Sequence, residues 1–336
     1  LGAPLNNPLI RKLNPEELGL SSDDIAKVLL HFPLGIIAFD LETTGLSPLF
    51  DDIVEVAAIR LDASGAQLLH TLVNPERPIP KEVIAIHGID DAMVMNAPKI
   101  GDVLPLFLEL GKGASWMAHN ARFDVGFILR ACQKLKVKPT EEKVYCSCML
   151  ARKAFPKAPN HKLKTLTQYL TLTLENHHRA SDDTLACLQI VAKGCVAHSR
   201  LVEQNAPSSA GPGMGPAKNR DLKYASFVYD LGEFKHMEEM EVDEKLRALT
   251  PLLTRGRPDI EILYKGGSKK NEYRPVQAIA LLPMPNGNVL YGLCRLSNMH
   301  KSFSLKKIVD WRLINPNPMA KINSENSDDP LDGGEL

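Results

Sequence analysis

Phe39-Asp40-Leu41-Glu42-Thr43-Thr44-Gly45 ends a short apolar run, Ile36 to Leu41, that reads as a buried strand. Side chains alternate along a strand, so Asp40 and Glu42 point to one face. Two carboxylates on one face of a buried strand are costly unless a cation neutralises them. The same pair also fits an exposed strand end, so it needs support from elsewhere in the chain.

The surrounding pattern is that of an α/β domain. Asp52 to Leu61 and Gly65 to Val73 read as a hairpin around Asp62-Ala63-Ser64-Gly65. Lys99 to Gly111 reads as a helix and Ser115 to Ala118 as a strand. A helix from Ala121 to Leu135 follows, with Val125, Ile128, Leu129 and Cys132 at helical spacing. Val144 to Cys146 reads as a strand, and Lys164 to Leu170 and Ala180 to Ala197 as helices. Strands in a run, then alternating with helices, predict a mixed sheet with helices on its faces.

Two further acidic segments bear on the first. Ala118-His119-Asn120-Ala121-Arg122-Phe123-Asp124 follows a strand and opens a helix, placing Asp124 in the first turn. A carboxylate there also suits the helix dipole. His178-Arg179-Ala180-Ser181-Asp182-Asp183 opens the long helix, with His178 in the preceding loop. Ser181 or Asp182 can serve there as a cap.

Taken together and in this order, the three segments resemble the DEDDh 3′–5′ exonucleases, the superfamily of the proofreading subunit of bacterial DNA polymerase III. The resemblance runs from Leu34 to Ala197. It includes Ile86-His87-Gly88-Ile89 and Lys162-Leu163-Lys164-Thr165-Leu166. It implies a ribonuclease-H-like fold and a site with Asp40, Glu42, Asp124 and Asp183 as ligands to two divalent cations, Mg²⁺ or Mn²⁺. It also implies His178 as the general base. Such ions offset the charge of a phosphodiester and ready a water for attack, and a histidine can take that water's proton near neutral pH. The implied products are 5′-mononucleotides released from a 3′ end.

The resemblance extends to substrate contacts. Thr43 would line the terminal nucleotide, Leu46 would wedge beside the last base, His87 would lie near the terminal sugar or base, and Phe123 would lie beneath it. Apolar and stacking contacts tolerate any base. Phe123 also fits a core ring, and His87 a satisfied turn residue. His119 and Asn120 read as braces, since buried polar groups need partners.

Asn205 to Asn219 is rich in Gly, Pro, Ala and Ser and reads as a flexible linker. The chain then divides into an extension (1–33), an exonuclease domain (34–200), a linker (201–219), a second domain (220–315) and an acidic, frayed tail (316–336). Val242 to Leu253 reads as helical; Phe227 to Tyr229 has no clear assignment. Ile260 to Tyr264, Tyr273 to Leu282, Val289 to Arg295 and Ser302 to Leu305 read as short strands of a small β-barrel.

Pro251 to Asn315 carries eleven Lys/Arg against four Asp/Glu, interleaved with Tyr264, Tyr273, Tyr291, Phe303 and Trp311. That composition suits single-stranded nucleic acid and equally an ordinary solvated surface around an aromatic core. The region also resembles WYL domains, in Tyr273-Arg274-Pro275-Val276, Val289 to Cys294 and Lys301-Ser302-Phe303-Ser304-Leu305-Lys306-Lys307-Ile308. It lacks the Trp-Tyr-Leu tripeptide. This likeness implies an Sm-like barrel with Arg274, Arg295, Lys301 and Lys307 in a basic patch.

Composition excludes several classes. The chain has 336 residues, 44% hydrophobic and 24% charged, with 40 basic and 40 acidic side chains. A packed core is feasible; collagen-like, coiled-coil and wholly disordered classes are excluded. Six cysteines without a C-x-x-C pair read as reduced thiols of a cytoplasmic protein without structural zinc. No apolar run is long enough to span a membrane. The reading is therefore a 3′–5′ exonuclease acting on single-stranded nucleic acid, DNA over RNA. An exoribonuclease and a regulatory protein using the fold as a platform stand as alternatives.

Overall fold

The computed structural model describes residues 7–172, 179–204, 222–234, 244–255, 257–266, 272–284 and 287–314. The first sheet contains β1 (Ile10–Leu13), β2 (Ile36–Thr43), β3 (Ile53–Asp62), β4 (Gly65–Leu72), β5 (Ser115–Ala118), β6 (Lys143–Cys146) and β7 (Phe227–Asp230). Its order is β1-β4-β3-β2-β5-β6-β7. The strands from β1 to β2 pair antiparallel, β2, β5 and β6 run parallel, and β7 closes the far edge antiparallel. This is the expected mixed sheet. The helices around it are α1 (Ser22–His31), α2 (Lys81–His87), α3 (Asp91–Val94), α4 (Ile100–Gly111), α5 (Arg122–Leu135), α6 (Ser147–Ala154), α7 (Leu163–Tyr169), α8 (Ala180–Gln204) and α9 (Leu222–Ser226).

Alternation along β2 decides which layer meets which face. Ile37, Phe39 and Leu41 enter a core shared with α4 and α5, where Phe39, Phe107 and Trp116 meet edge to face. Ile36 and Ala38 enter the opposite core, against Leu188, Val191 and Cys195 of α8. Asp40 and Glu42 continue that second parity. The strand therefore delivers its carboxylates to the face on which α8 lies.

Two expected boundaries move. The segment assigned to an extension, 1–33, contributes β1, which pairs with β4, and α1, whose Asp24 receives Lys193 of α8 at 2.7 Å. Leu222 to Phe234, assigned to the second domain, belongs to the first sheet. Tyr229 pairs with Val144, and Leu231 and Phe234 sit in the first core. Alternation in so short a strand is invisible until its partner is known. Helix α8 continues through Gln204, past the expected linker start at 201. The linker's residues 205–219 and the tail 316–336 lie outside the described residues.

A second, five-stranded antiparallel sheet follows α10 (Glu244–Arg247) and α11 (Thr250–Arg255), which replace the single helix expected over Val242 to Leu253. Its strands are β8 (Asp259–Tyr264), β9 (Tyr273–Leu282), β10 (Val289–Cys294), β11 (Met299–Ser304) and β12 (Ile308–Leu313), ordered β11-β10-β9-β8-β12. The strands at its two edges, β11 and β12, are joined by the single turn Leu305–Lys307. So short a connection between opposite edges requires the sheet to curl into a small barrel.

The barrel packs on the first domain beside the exit of β2. Leu49 is buried among Leu249, Leu253, Ile260 and Ile262, and the Arg247 guanidinium lies 5.1 Å from the Phe50 ring centre. Phe123 packs against Ile279, Leu282 and Tyr291. A Cβ at Gly126 of α5 would lie 3.0 Å from Pro48 and 3.2 Å from Pro283, so the missing side chain admits both prolines. No helix among the described residues is long and apolar enough to cross a membrane.

Candidate active site

Carboxylate oxygens of Asp40, Glu42 and Asp183 all lie within 4.8 Å of one another. Asp40 and Glu42 are half-buried and come from β2; Asp183 is buried in the first turn of α8. Three anions so close repel one another in a low-dielectric setting, and an all-oxygen donor set suits a hard divalent cation. The residues present therefore fit a divalent metal. Asp124 is buried in the first turn of α5 and stands outside this triad. His178 lies outside the described residues.

The start of α8 is held by a residue that sequence reading missed. Glu55 pairs with Glu42 across β2 and β3 and is fully buried. Its carboxylate takes the Arg179 guanidinium at 2.7 Å, the His70 Nε2 at 2.8 Å and the Ala180 N–H at 3.0 Å. Burial alone would raise its pKa, but those three donors outweigh it and hold the carboxyl down at about 2. Glu55 thus caps α8 from a neighbouring strand, a role the sequence left to Ser181 or Asp182. Thr184 adds a bond from Oγ1 to the Ala57 carbonyl at 3.2 Å. These contacts fix Asp183 against β2. The signal in the sequence was a lone Glu inside the apolar run Ile53-Val54-Glu55-Val56-Ala57-Ala58.

The loop leaving β2 is braced as closely. The Thr43 hydroxyl donates to the Gly45 carbonyl at 2.7 Å, and the Thr44 hydroxyl accepts the Asp52 N–H at 3.0 Å. Asp51 folds under the loop and accepts the Ser47 N–H at 2.9 Å. A Cβ at Gly45 would lie 2.5 Å from the Asp51 carboxylate, so glycine leaves the only room for it. Burial lifts the Asp51 carboxyl to about 6, against the single backbone donor from Ser47 and more distant Arg77 and Lys134.

The expected substrate-facing residues sit as follows. His87 is buried at the end of α2. Its Nδ1 accepts the Ile89 N–H at 3.0 Å, so Nε2 carries the proton and donates to the Thr43 carbonyl at 3.3 Å. His87 thereby ties its turn to the residue after Glu42. Phe123 is half-buried, 5.0 Å from the Phe127 ring and against the barrel. Leu46 is half-buried on the loop. His119 braces as expected: Nε2 donates to the His161 carbonyl at 3.0 Å, leaving Nδ1 to accept from Ser147 at 2.8 Å.

The barrel's four basic residues do not form the exterior patch expected of them. Arg274 shares the inward parity of Val276 and Ala278 and is 8% exposed. Arg295 is paired with Asp259 at 3.0 Å. Lys301 is half-buried and Lys307 is exposed. Strand alternation sends some of these side chains inward, and an acid on the adjacent strand neutralises another.

A mixed sheet whose central strand carries clustered acids to the mouth of an opposing helix is the architecture of a nuclease that works through bound metal. The family model described as "Exonuclease" (RNase_T) matches residues 37–191. The chain is similar to the DNA polymerase III subunit epsilon of Treponema pallidum, 33% identical over 174 residues, which cover 51% of this chain and 81% of the relative. It is 40% identical over 158 residues to the PolC-type DNA polymerase III of Caldanaerobacter subterraneus subsp. tengcongensis, covering 47% of this chain and only 11% of that much longer protein. Among solved structures, E. coli Exonuclease I in complex with a dA16 oligonucleotide aligns over 77% of this chain and 55% of that one, at 18% identity and a TM-score of 0.44. The chain belongs to the DEDDh 3′–5′ exonuclease family, hydrolases of nucleic acid that use divalent metal ions.

Proposed function

We propose that this chain removes 5′-mononucleotides from the 3′ end of single-stranded DNA. The observation that carries the reading is the convergence of Asp40, Glu42 and Asp183 from β2 and α8. In this reading these three carboxylates, with Asp124, hold a pair of Mg²⁺ or Mn²⁺ ions. When bound, such ions offset phosphate charge and lower the pKa of an attacking water. His178 accepts the water's proton. Glu55 and Arg179 set the angle at which α8 presents Asp183, and His87 fixes the backbone of Thr43 where the terminal nucleotide would lie. Leu46 and Phe123 supply apolar surface to the last base without reading its identity.

The name of the Treponema relative supports DNA over RNA as the polymer. The six thiols are all buried and free, which suits a reducing, cytoplasmic setting. The deciding experiment compares 3′-labelled single-stranded DNA and RNA with Mg²⁺, Mn²⁺ or EDTA. Stepwise loss of 3′ nucleotides from DNA, dependent on metal, is expected. Faster trimming of RNA would replace the substrate with RNA. No hydrolysis of either polymer with either metal would leave the fold as a binding platform.

A further inference from the structure

Arg274 is an anomaly for a soluble barrel. It lies on the inward face of β9, its Nε is sealed from solvent, and no hydrogen bond or ion pair joins it to any described residue. Its only neighbours of note are two rings. The guanidinium carbon lies 6.0 Å from the centre of Tyr264 and 5.8 Å from that of Phe303. The rings meet edge to face at 5.4 Å, and the Tyr264 hydroxyl accepts the Ser304 N–H at 3.3 Å. The pair is therefore fixed before any ligand arrives.

The acids near this end of the barrel are turned elsewhere. Glu261 is held by Arg312, Asp310 accepts from the Tyr273 hydroxyl, Asp259 is taken by Arg295, and Glu272 is exposed. A second positive charge points inward instead. Lys301 stands two residues from Phe303 on β11, hence on the same face, and its ammonium acts on the buried Cys294 thiol of β10. A buried cation between rings, with a second cation nearby and no counter-ion, is costly unless an anion completes it.

We infer that the barrel holds a binding site for the phosphate group of a nucleotide, centred on Arg274 and flanked by Tyr264, Phe303 and Lys301. A guanidinium presents paired N–H donors that match phosphate oxygens. Two positive charges suit a doubly charged phosphate monoester, and the rings offer a face or edge to a base. The phosphate comes either from a free mononucleotide or from a strand, and the inference does not depend on which nucleic acid the nuclease domain cleaves.

The test is thermal melting of the full chain in EDTA, which silences metal-dependent cleavage. The probes are inorganic phosphate, 2′-deoxyadenosine 5′-monophosphate, unphosphorylated deoxyadenosine, and a short oligodeoxyadenylate. At roughly a hundred times its Kd, a phosphate-bearing probe should raise the melting temperature by about 3 °C. Arg274→Met should abolish the shift while leaving the ligand-free melting temperature level or higher. Arg274→Lys, which keeps the charge but not the fork, should at least halve it, and covers the case in which Arg274→Met fails to fold. A shift from mononucleotide but not oligomer assigns the site to free nucleotide; the reverse assigns it to the strand. The Asp40→Asn chain should show the same shifts, which separates this site from the nuclease site. Equal shifts with deoxyadenosine, or no phosphate probe favouring wild type over Arg274→Met, would overturn the inference.

Discussion

Glu55 in the first sheet and Arg274 in the barrel are both withdrawn from water, yet their surroundings differ in kind. Around Glu55 a guanidinium, an imidazole and a backbone N–H converge within 3.0 Å. Around Arg274 there are aromatic rings and no acceptor among the described residues. A buried charge with a full set of partners makes a rigid joint, and this one sets α8 against β2. A buried charge without partners is either a liability or half of a contact. Asp51 stands between them, with one backbone donor and a carboxyl lifted to about 6.

The largest effect should come from the triad that the Glu55 joint serves. Asp183→Ala should cut kcat by roughly 10³-fold or more. Its melting temperature should hold or rise, because like-charge repulsion is relieved. A gel assay beside a melting scan reads both, and undiminished turnover would reduce the triad to an acidic surface.

Removing the joint itself comes next. Glu55→Ala strands Arg179, His70 and the Ala180 N–H, and should cost about 3 kcal/mol in urea unfolding. The sign of its pH dependence is fixed. Glu55 titrates near 2 in the fold and at 4.5 unfolded, so its contribution is complete above 4.5 and is lost as pH falls toward 2. The deficit of Glu55→Gln should narrow across that window; a deficit constant with pH would contradict the assignment of the donors.

Leu49→Ala probes the seam between the two regions. It empties a buried position in the barrel core and should cost about 2–4 kcal/mol. Because Leu49 sits on the loop from β2, turnover should also fall several-fold. Lost stability with unchanged kcat and KM would mean that the barrel does not steady the site.

The smallest effect has the opposite sign. The fold loses stability as Asp51 is forced to ionise, between 3.8 in the unfolded chain and about 6 in the fold, and the loss stays constant above that. Asp51→Asn should therefore stabilise by roughly 2 kcal/mol above pH 6, with no gain below 3.8. A stability gain at acid pH alone would reverse the argument.

Much of the first region was legible because its signals are local. The parity of Ile36, Ala38, Asp40 and Glu42 set the face of the acids, and the helix starts at Arg122 and Ala180 lay within a residue of where their motifs put them. What escaped was non-local. The partner of Phe227–Asp230 is β6, more than eighty residues earlier, and nothing in four residues announces it. Glu55 reads as an oddity in an apolar strand until Arg179 arrives from far down the chain. In the barrel the strands were legible but their inward and outward faces were not, so Arg274 was counted as surface charge.

The return of the chain to β7 matters for anyone dividing this protein. A cut at the glycine- and proline-rich stretch would discard Phe227–Asp230 together with the barrel. That would bare the backbone N–H and C=O groups of Lys143–Cys146 and strip the apolar cover from Leu49 and Phe123. An open strand border beside uncovered leucine and phenylalanine is adhesive. Such a fragment would be prone to clump, whereas pieces that retain Asp230 would keep the border sealed.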